Sequence, residues 1–514
     1  MGEDSFNLKK AWQNFRHMPF RHKAFWFVAI FLAILTIRDT WNLVNEYLDD
    51  PMKADMNMIL NETMTLPNIT FCVPTKQVLS HFPNGNDTET VKKQLAKFKS
   101  TEQLLKKKWP PELALHAFQS LAAMFTIERE FLGSHMAQRL HRFINPPKGK
   151  EYLTQKRDGI SFWVKQMAER NLTFEDFTQK AGKEVLAKSI KQMTRIVKDD
   201  DGPRIKLYPK ITWVSRSDVC FQPTYDEENL KPITDQGSFF FLQVAQNKEN
   251  VNTEESQRCI SVDFHGYPFD WSKVTEGGGI SRDGYHENLC PGLRHDVTVE
   301  VKNKYDMLEN DEPRTACRDF SDDDDDEFSC RSRCRMELIR QLCQCTSITT
   351  QYLVEDEKEL ENYPLCNYSK CVIDVQKQSN KSEEACTKRC FRDCHQLRYS
   401  VSVDQKVSVT EVGDQRVRNT NLTSIFLLWG SFEYIEVTQS RVYTTASFIG
   451  ELGGVIGMWL GLSMLSLIQM MTWATERIFV KASDVAKDVK HDFDRRHSSA
   501  TDMNDGNGLR KRTT

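Results

Sequence analysis

Neither end of the chain contains cysteine: the first 71 residues and the last 120 have none, although 14 lie between Cys72 and Cys394. The first 45 residues and the last 70 lack N-glycosylation sequons, whereas seven, at Asn61, Asn68, Asn86, Asn171, Asn367, Asn380 and Asn421, fall between residues 46 and 444. An overall basic field is missing too. With 69 Lys and Arg against 72 Asp and Glu, the net charge of -3 argues against binding to nucleic acid. No Gly-rich phosphate loop, His-Glu-x-x-His or nucleophile elbow occurs in a suitable context, which argues against an enzyme. Nothing calls for a cofactor or a resident metal. At 514 residues the chain exceeds one ordinary domain, and roughly 150 residues per unit gives a prior of about three.

Thiols and sequons confined to one interval place residues 46–444 in an oxidising, extracellular compartment. Two hydrophobic segments bracket it. The first, Ala24 to Ile37, is fourteen residues without charge, followed by Arg38 and Asp39. It covers about 21 Å of a bilayer core about 30 Å thick. A spanning helix must therefore continue through Trp41, Leu43 and Val44, with its polar residues facing protein or water. A signal peptide is the competing reading, but no Ala-x-Ala-like site follows and the leader is long.

The second segment, Ala446 to Trp473, is long enough to span when tilted. Basic residues before the first segment and after the second (Arg477, Lys481) put both termini in the cytoplasm under the positive-inside rule. The expected divisions are a cytoplasmic N-terminus (1–23), a first span (24–45), an ectodomain (46–444), a second span (445–475) and a cytoplasmic tail (476–514). Glu451 sits in the first third of the second segment. A carboxylate facing lipid costs about 3 kcal/mol on insertion scales, so Glu451 is expected to face water. Glycines at four-residue spacing (Gly453, Gly457, Gly461; Gly450, Gly454) let helices approach closely, which suits either plain dimerisation or a pore. Ser447, Glu451, Gly454, Met458, Gly461, Leu465, Gln469 and Thr472 follow steps of three or four and define one candidate pore face.

From Cys330 the order is Cys-x3-Cys-x8-Cys-x-Cys through Cys334, Cys343 and Cys345, then Cys366, Cys371 and Cys386-x3-Cys390-x3-Cys394. Thiolate zinc sites belong mainly to reducing compartments, so disulfides are favoured. Spacing alone leaves their connectivity open. This order, Leu66-Pro67-Asn68-Ile69-Thr70-Phe71-Cys72 after the first span, and Phe432-Glu433 with Tyr443-Thr444-Thr445-Ala446 before the second resemble the degenerin/epithelial sodium channel family, including the acid-sensing channels. Gly450-Glu451-Leu452-Gly453-Gly454 resembles the family's Gly-Asp-Ile-Gly-Gly, and Gly461-Leu462-Ser463 fits its Gly-x-Ser filter.

The resemblance implies an α+β membrane protein: two transmembrane helices flanking a disulfide-rich ectodomain with a β-sheet core, a helical finger (about 84–215) and a thumb (about 317–394). It implies a plasma-membrane homo- or heterotrimer in the lipid bilayer, conducting sodium or other monovalent cations and opened by a ligand, protons or force. The implied pairs are Cys72 with Cys220, Cys317 with Cys394, Cys330 with Cys390, Cys334 with Cys386, Cys343 with Cys371 and Cys345 with Cys366, which leaves Cys259 with Cys290. Gly461, Leu462 and Ser463 would form the selectivity filter. Ser447, Glu451 and Gly454 would line the outer pore, with Glu451 in a ring of carboxylates and Ser447 where bulky side chains hold channels open.

Departures from the family pattern are informative. Gln469 and Thr472 stand where two inner-pore acids are usual, leaving Glu476 as the nearest carboxylate. The cytoplasmic His-Gly motif is missing near Leu8 and Lys9, and Arg314 replaces a tryptophan before Cys317. These changes keep open a non-conducting or obligate heteromeric auxiliary subunit; ATP-gated receptors need a different cysteine set and nucleotide-binding motifs. The acidic run Asp322 to Glu327 reads as a solvated loop or as a proton or calcium sensor. Helical spacing in FQSLAAMF and VKQMAERN suits the finger, and the charged stretch 480–514 suits a disordered tail, with Arg495-Arg496-His497-Ser498 a weak phosphorylation pattern.

Overall fold

The computed structural model describes residues 19–82, 88–131, 146–197, 205–225, 231–247, 259–265, 286–311, 316–319, 327–354, 357–366, 389–407, 409–412, 415–418, 421–461, 469, 472, 473 and 475. The chain divides into two compact units, one of Met1–Lys53 with Ser440–Thr514 and one of Ala54–Gln439.

The larger unit is built on two sheets. Its strands in chain order begin β1 (Met52–Leu60), β2 (Asn68–Pro74), β3 (Ile190–Arg195), β4 (Ile205–Lys206), β5 (Tyr208–Val214) and β6 (Asp218–Thr224). They continue with β7 (Gly237–Ala245), β8 (Ile260–His265), β9 (His286–Leu289), β10 (Leu293–Asp306), β11 (Cys317–Arg318) and β12 (Arg392–Asp393). The last are β13 (His395–Val407), β14 (Val409–Val412), β15 (Gln415–Arg418), β16 (Leu422–Trp429) and β17 (Glu433–Arg441). One sheet runs β1-β17-β10-β16-β7-β3-β4, with β13 paired to β10; the other runs β5-β6-β2-β8-β9.

Alternation explains the first sheet. In β10, His295, Val297, Val299 and Val301 point inward; in β16, Thr423, Ile425, Leu427 and Trp429 do. Period-two burial is what a sheet with one covered face requires. β10 and β16 run parallel, with Val297 beside Leu427 and Val299 beside Trp429. The sheets meet through aromatic rings: Phe71 on β2 stacks on Phe240 of β7 at 5.4 Å, and within its own sheet on Phe221 of β6 at 5.8 Å. Such pairs add about 0.5–1.5 kcal/mol beyond the area they bury.

Helices of this unit are α2 (Thr75–Leu79), α3 (Thr88–Leu95), α4 (Thr101–Lys106), α5 (Pro111–Phe131), α6 (Pro146–Glu169), α7 (Phe174–Ser189), α8 (Glu327–Cys343) and α9 (Glu357–Asn362); α1 (Phe20–Leu48) and α10 (Thr445–Leu460) belong to the other. α5 is buried on nearly every side from Leu113 to Phe125. Its one histidine, His116, is buried and accepts a 3.0 Å hydrogen bond at Nδ1 from Trp163 Nε1 on α6. Burial, then the nearby Lys156 charge, hold the His116 imidazole below its ordinary value. α7 starts at Thr173, whose hydroxyl accepts from Asp176 N at 3.0 Å, and it packs on β5 with Gly182 against Ile211.

Disulfides join Cys72 to Cys220, Cys259 to Cys290, Cys317 to Cys394, Cys330 to Cys390 and Cys345 to Cys366. Cys72 and Cys220 are direct register partners on β2 and β6. Cys317 and Cys394 flank the short β11–β12 pair, and Cys330 lies on α8. Cys334 and Cys343 are also disulfide-bonded, while Cys371 and Cys386 lie outside the described residues. Among the described residues no cysteine is free. Of the acidic run only Glu327 is described; it opens α8 and pairs with Arg331 one turn on. Arg314, Leu8 and Lys9 and the 480–514 stretch also lie outside the described residues.

Candidate ion pathway

The smaller unit contains both apolar segments. α1 spans 29 residues, about 43 Å, and over Ala24–Leu48 is long and apolar enough to cross a bilayer. It continues past the uncharged run, as bilayer thickness demands. α10 is shorter. Its 16 residues extend about 24 Å before the helix stops at Gly461, whose φ of 65° lies in the left-handed region that favours glycine. The stop falls inside the expected pore face from Ser447 to Thr472, of which Leu465 lies outside the described residues. The pattern has no phase break there, because a glycine that ends a helix and one that lets helices pack look alike in sequence.

The start of α10 is held by its own side chains. Thr444 Oγ1 accepts from Ser447 N at 3.1 Å, and Ser447 Oγ accepts from Thr444 N at 2.8 Å, a reciprocal cap that satisfies two otherwise orphaned amides. Ser447 therefore has a structural task beside its expected place near a gate.

α1 and α10 pack antiparallel. Tyr47 stacks on Phe448 with ring centroids 4.2 Å apart, and Trp459 Nε1 donates to Asp39 Oδ2 at 2.9 Å. On α1 the covered positions include Leu32, Thr36, Asp39, Leu43 and Tyr47; on α10 they include Phe448, Leu452, Val455, Ile456 and Trp459. These steps of three and four mark the packed face of each helix. Ser447, Glu451, Gly454, Met458 and Gly461 occupy the other side of α10 and are all exposed in the single chain. A Cβ added at Gly454 or Gly461 would meet no atom within 4 Å.

Above the helices the chain gathers carboxylates. Tyr443 Oη donates to Glu46 Oε2 at 3.1 Å, Arg441 pairs with Asp50 at 3.4 Å, and Val442 N donates to Pro51 O at 2.9 Å. Partial desolvation, the hydrogen bond to Glu46 and the Glu451 charge push the Tyr443 phenol up. At the other end, the C-terminus of α10 presents the negative end of the helix dipole near Gly461, a field that favours cations.

Leu462, Ser463 and Glu476 lie outside the described residues. Gln469 and Thr472 are exposed, with Thr472 Oγ1 donating to Gln469 O at 2.9 Å. Among the sequon asparagines, Asn171 and Asn421 are exposed and Asn61 and Asn68 half-buried, while Asn86, Asn367 and Asn380 lie outside the described residues. Sequence reasoning did not single out Tyr47, Phe448 or the Asp39–Trp459 pair. The available signal was Asp39 itself, a charge inside a helix long and apolar enough to cross a bilayer.

Comparison with known proteins gives this geometry a class. A sequence profile described as amiloride-sensitive sodium channel matches residues 10–473. The chain belongs to that family, a family of ion channels and not of enzymes, and is a cation channel subunit of the membrane. No curated protein sequence matches it. A cryo-EM structure of a proton-activated chloride channel is similar over 87% of this chain and 96% of that one, at 9% identity and a TM-score of 0.24, too low to carry an argument.

Proposed function

We propose that the chain is one of three subunits, identical or related, around a sodium-permeable pore in the plasma membrane. Residues 24–45 and 445–475 cross the bilayer, 46–444 are extracellular, and both termini are cytoplasmic. A ligand, protons or force opens the channel. The supporting observation is the position of Glu451: exposed on α10 outside the face that packs on α1, in line with Ser447, Gly454, Met458 and Gly461. A carboxylate there is costly against lipid and favourable in a wet path shared by three copies. Three Glu451 side chains form an outer ring that concentrates cations, and Gly461, Leu462 and Ser463 form the constriction. There, small side chains and backbone dipoles replace part of an ion's hydration shell. Gln469, Thr472 and Glu476 line the inner mouth. Its shortage of carboxylates weakens cation attraction and predicts modest discrimination of sodium from potassium.

Cysteine accessibility tests this reading. Single cysteines at Ser447, Glu451, Gly454 and Met458 should react with a charged thiol reagent from outside and change the current, while those at Leu452 and Ile456 should not. Glu451→Gln should lower cation conductance most at low ionic strength, where charge is least screened. Silent cysteines on the exposed face of a conducting channel would end the proposal.

A further inference from the structure

We propose that Asp39 is a positioning residue for the ion constriction, holding the last turn of α10 through the indole of Trp459. The proposal rests on the pore reading above and adds a residue from α1 to it. Trp459 stands two positions before Gly461, so whatever fixes its ring fixes the turn that delivers the backbone to the constriction. The indole is a donor only, and it gives its proton to Asp39 Oδ2 at 2.9 Å. The other oxygen, Oδ1, takes Arg38 Nε at 3.0 Å. Asp39 thus spends one oxygen on a cation that is 67% exposed and the other on the neighbouring helix.

Direction is what makes this contact different from the rest of the seam. Leu452, Val455 and Ile456 meet α1 through apolar surface, which tolerates rotation of one helix against the other. The Tyr47–Phe448 stack restrains the outer end of α10, three turns from Gly461. Among the described residues, Trp459–Asp39 is the side-chain hydrogen bond between α1 and α10. With Cα atoms about 2.3 Å from the axis, turning the helix end by about 30° carries a Cα about 1.2 Å, enough to change an ion constriction. A hydrogen bond to a charged acceptor biases latched against unlatched arrangements by about tenfold or more. The carboxylate lies between helices and not in the path, so it acts on permeation only through Trp459.

The test uses the full chain in oocytes, with surface protein measured by biotinylation. Trp459→Phe keeps the ring and removes the donor; Asp39→Leu removes the acceptor; Asp39→Asn keeps an oxygen acceptor and discards the charge. Trp459→Phe and Asp39→Leu should each shift the sodium-to-potassium permeability ratio or the open probability per surface channel by up to about tenfold. Their combination should be no worse than either alone, and Asp39→Asn, which keeps a weaker neutral acceptor, should fall between the parent and Asp39→Leu. A merely structural role would lower surface protein and leave the permeability ratio unchanged. That result, or additive single effects, overturns the proposal. Failure of the pore reading looks different: cysteines at Ser447 and Glu451 stay silent whatever happens at Asp39. Where no stimulus opens the channel, bridging of an Asp39→Cys, Trp459→Cys pair in membranes by a short bifunctional maleimide supplies a second measurement. After proteolysis of the ectodomain and reduction, the two ends of the chain should stay joined, with those of an Arg38→Cys, Trp459→Cys pair left separate; separation in the first pair also overturns the proposal.

Discussion

Ser447 offers the sharpest test of how α10 meets its neighbours, because two of its properties can be separated by substitution. Its hydroxyl accepts from Thr444 N at 2.8 Å and donates to Thr444 O at 2.9 Å, while its small size leaves the exposed face open. Losing a cap of this kind costs about 1 kcal/mol, close to a fivefold change in the stability of the helix start. Adding a methyl on the proposed pore face costs about 1–3 kcal/mol if the closed state is packed there, roughly a 5- to 150-fold bias towards opening. A loss shared equally by closed and open states cancels from gating, so the cap should govern folding and the bulk should govern current. Ser447→Ala removes the side-chain half of the cap, leaving the bond from its backbone N to Thr444 Oγ1, without adding bulk; Ser447→Thr keeps a hydroxyl and adds a methyl, and Ser447→Val adds the methyl without the hydroxyl. The expected order of basal current per surface channel, read by voltage clamp and biotinylation, is Val and Thr well above the parent, with Ala near it. Surface protein should fall for Ala and Val. An unchanged current in well-expressed Ser447→Val refutes the assignment of this face, and equal increases for Ala and Val would make the cap, not the bulk, the gating element.

Three further outcomes concern the larger unit. A Cβ at Gly182 would lie 2.6 Å from Ile211 Cγ1, so Gly182→Ala should lower stability by about 1–3 kcal/mol, and adding Ile211→Val should recover part of it; thermal melting of the purified channel reads both. His116 is held below its ordinary value of 6.5 by burial and by Lys156, so the unfolded chain takes up the proton first. The His116 contribution is therefore complete above that value and lost as pH falls below it, by about 1.4 kcal/mol per unit until the folded group titrates. The parent should melt earlier at pH 5.5 than at 7.5 by a margin that shrinks in His116→Gln. The Cys317–Cys394 bond closes a separation of 77 residues, and its removal by paired serines should cost about 2–5 kcal/mol, visible as earlier melting without any loss in reducing buffer beyond that of the parent.

The first apolar helix was readable because a bilayer imposes a length, so fourteen uncharged residues carry meaning before any fold is known, and Ala24–Leu48 is a helix long and apolar enough to cross. A helix of the larger unit was readable from periodicity alone: FQSLAAMF falls within α5, although burial there reaches almost every side. Sheet register was not. β10 and β16 alternate clearly, but their parallel pairing joins residues about 130 apart, and period two says which face is inward without naming the neighbour.

Gly461 and Asp39 show the same limit at the pathway itself. Residue spacing along a helix is a one-body property: it fixes which side chains share a face, and it placed Ser447, Glu451, Gly454, Met458 and Gly461 together. Where that helix stops depends on a backbone torsion that only glycine accepts cheaply, and many glycines never use the freedom. What steadies the stop depends on a second helix some 420 residues earlier in the chain. Asp39 reads as an ordinary charge at the end of an apolar run until Trp459 is set against it, at which point the costly carboxylate gains an indole donor on the turn before Gly461. A charge retained inside a bilayer helix is therefore best examined for the neighbour it steadies as well as for the ion it attracts.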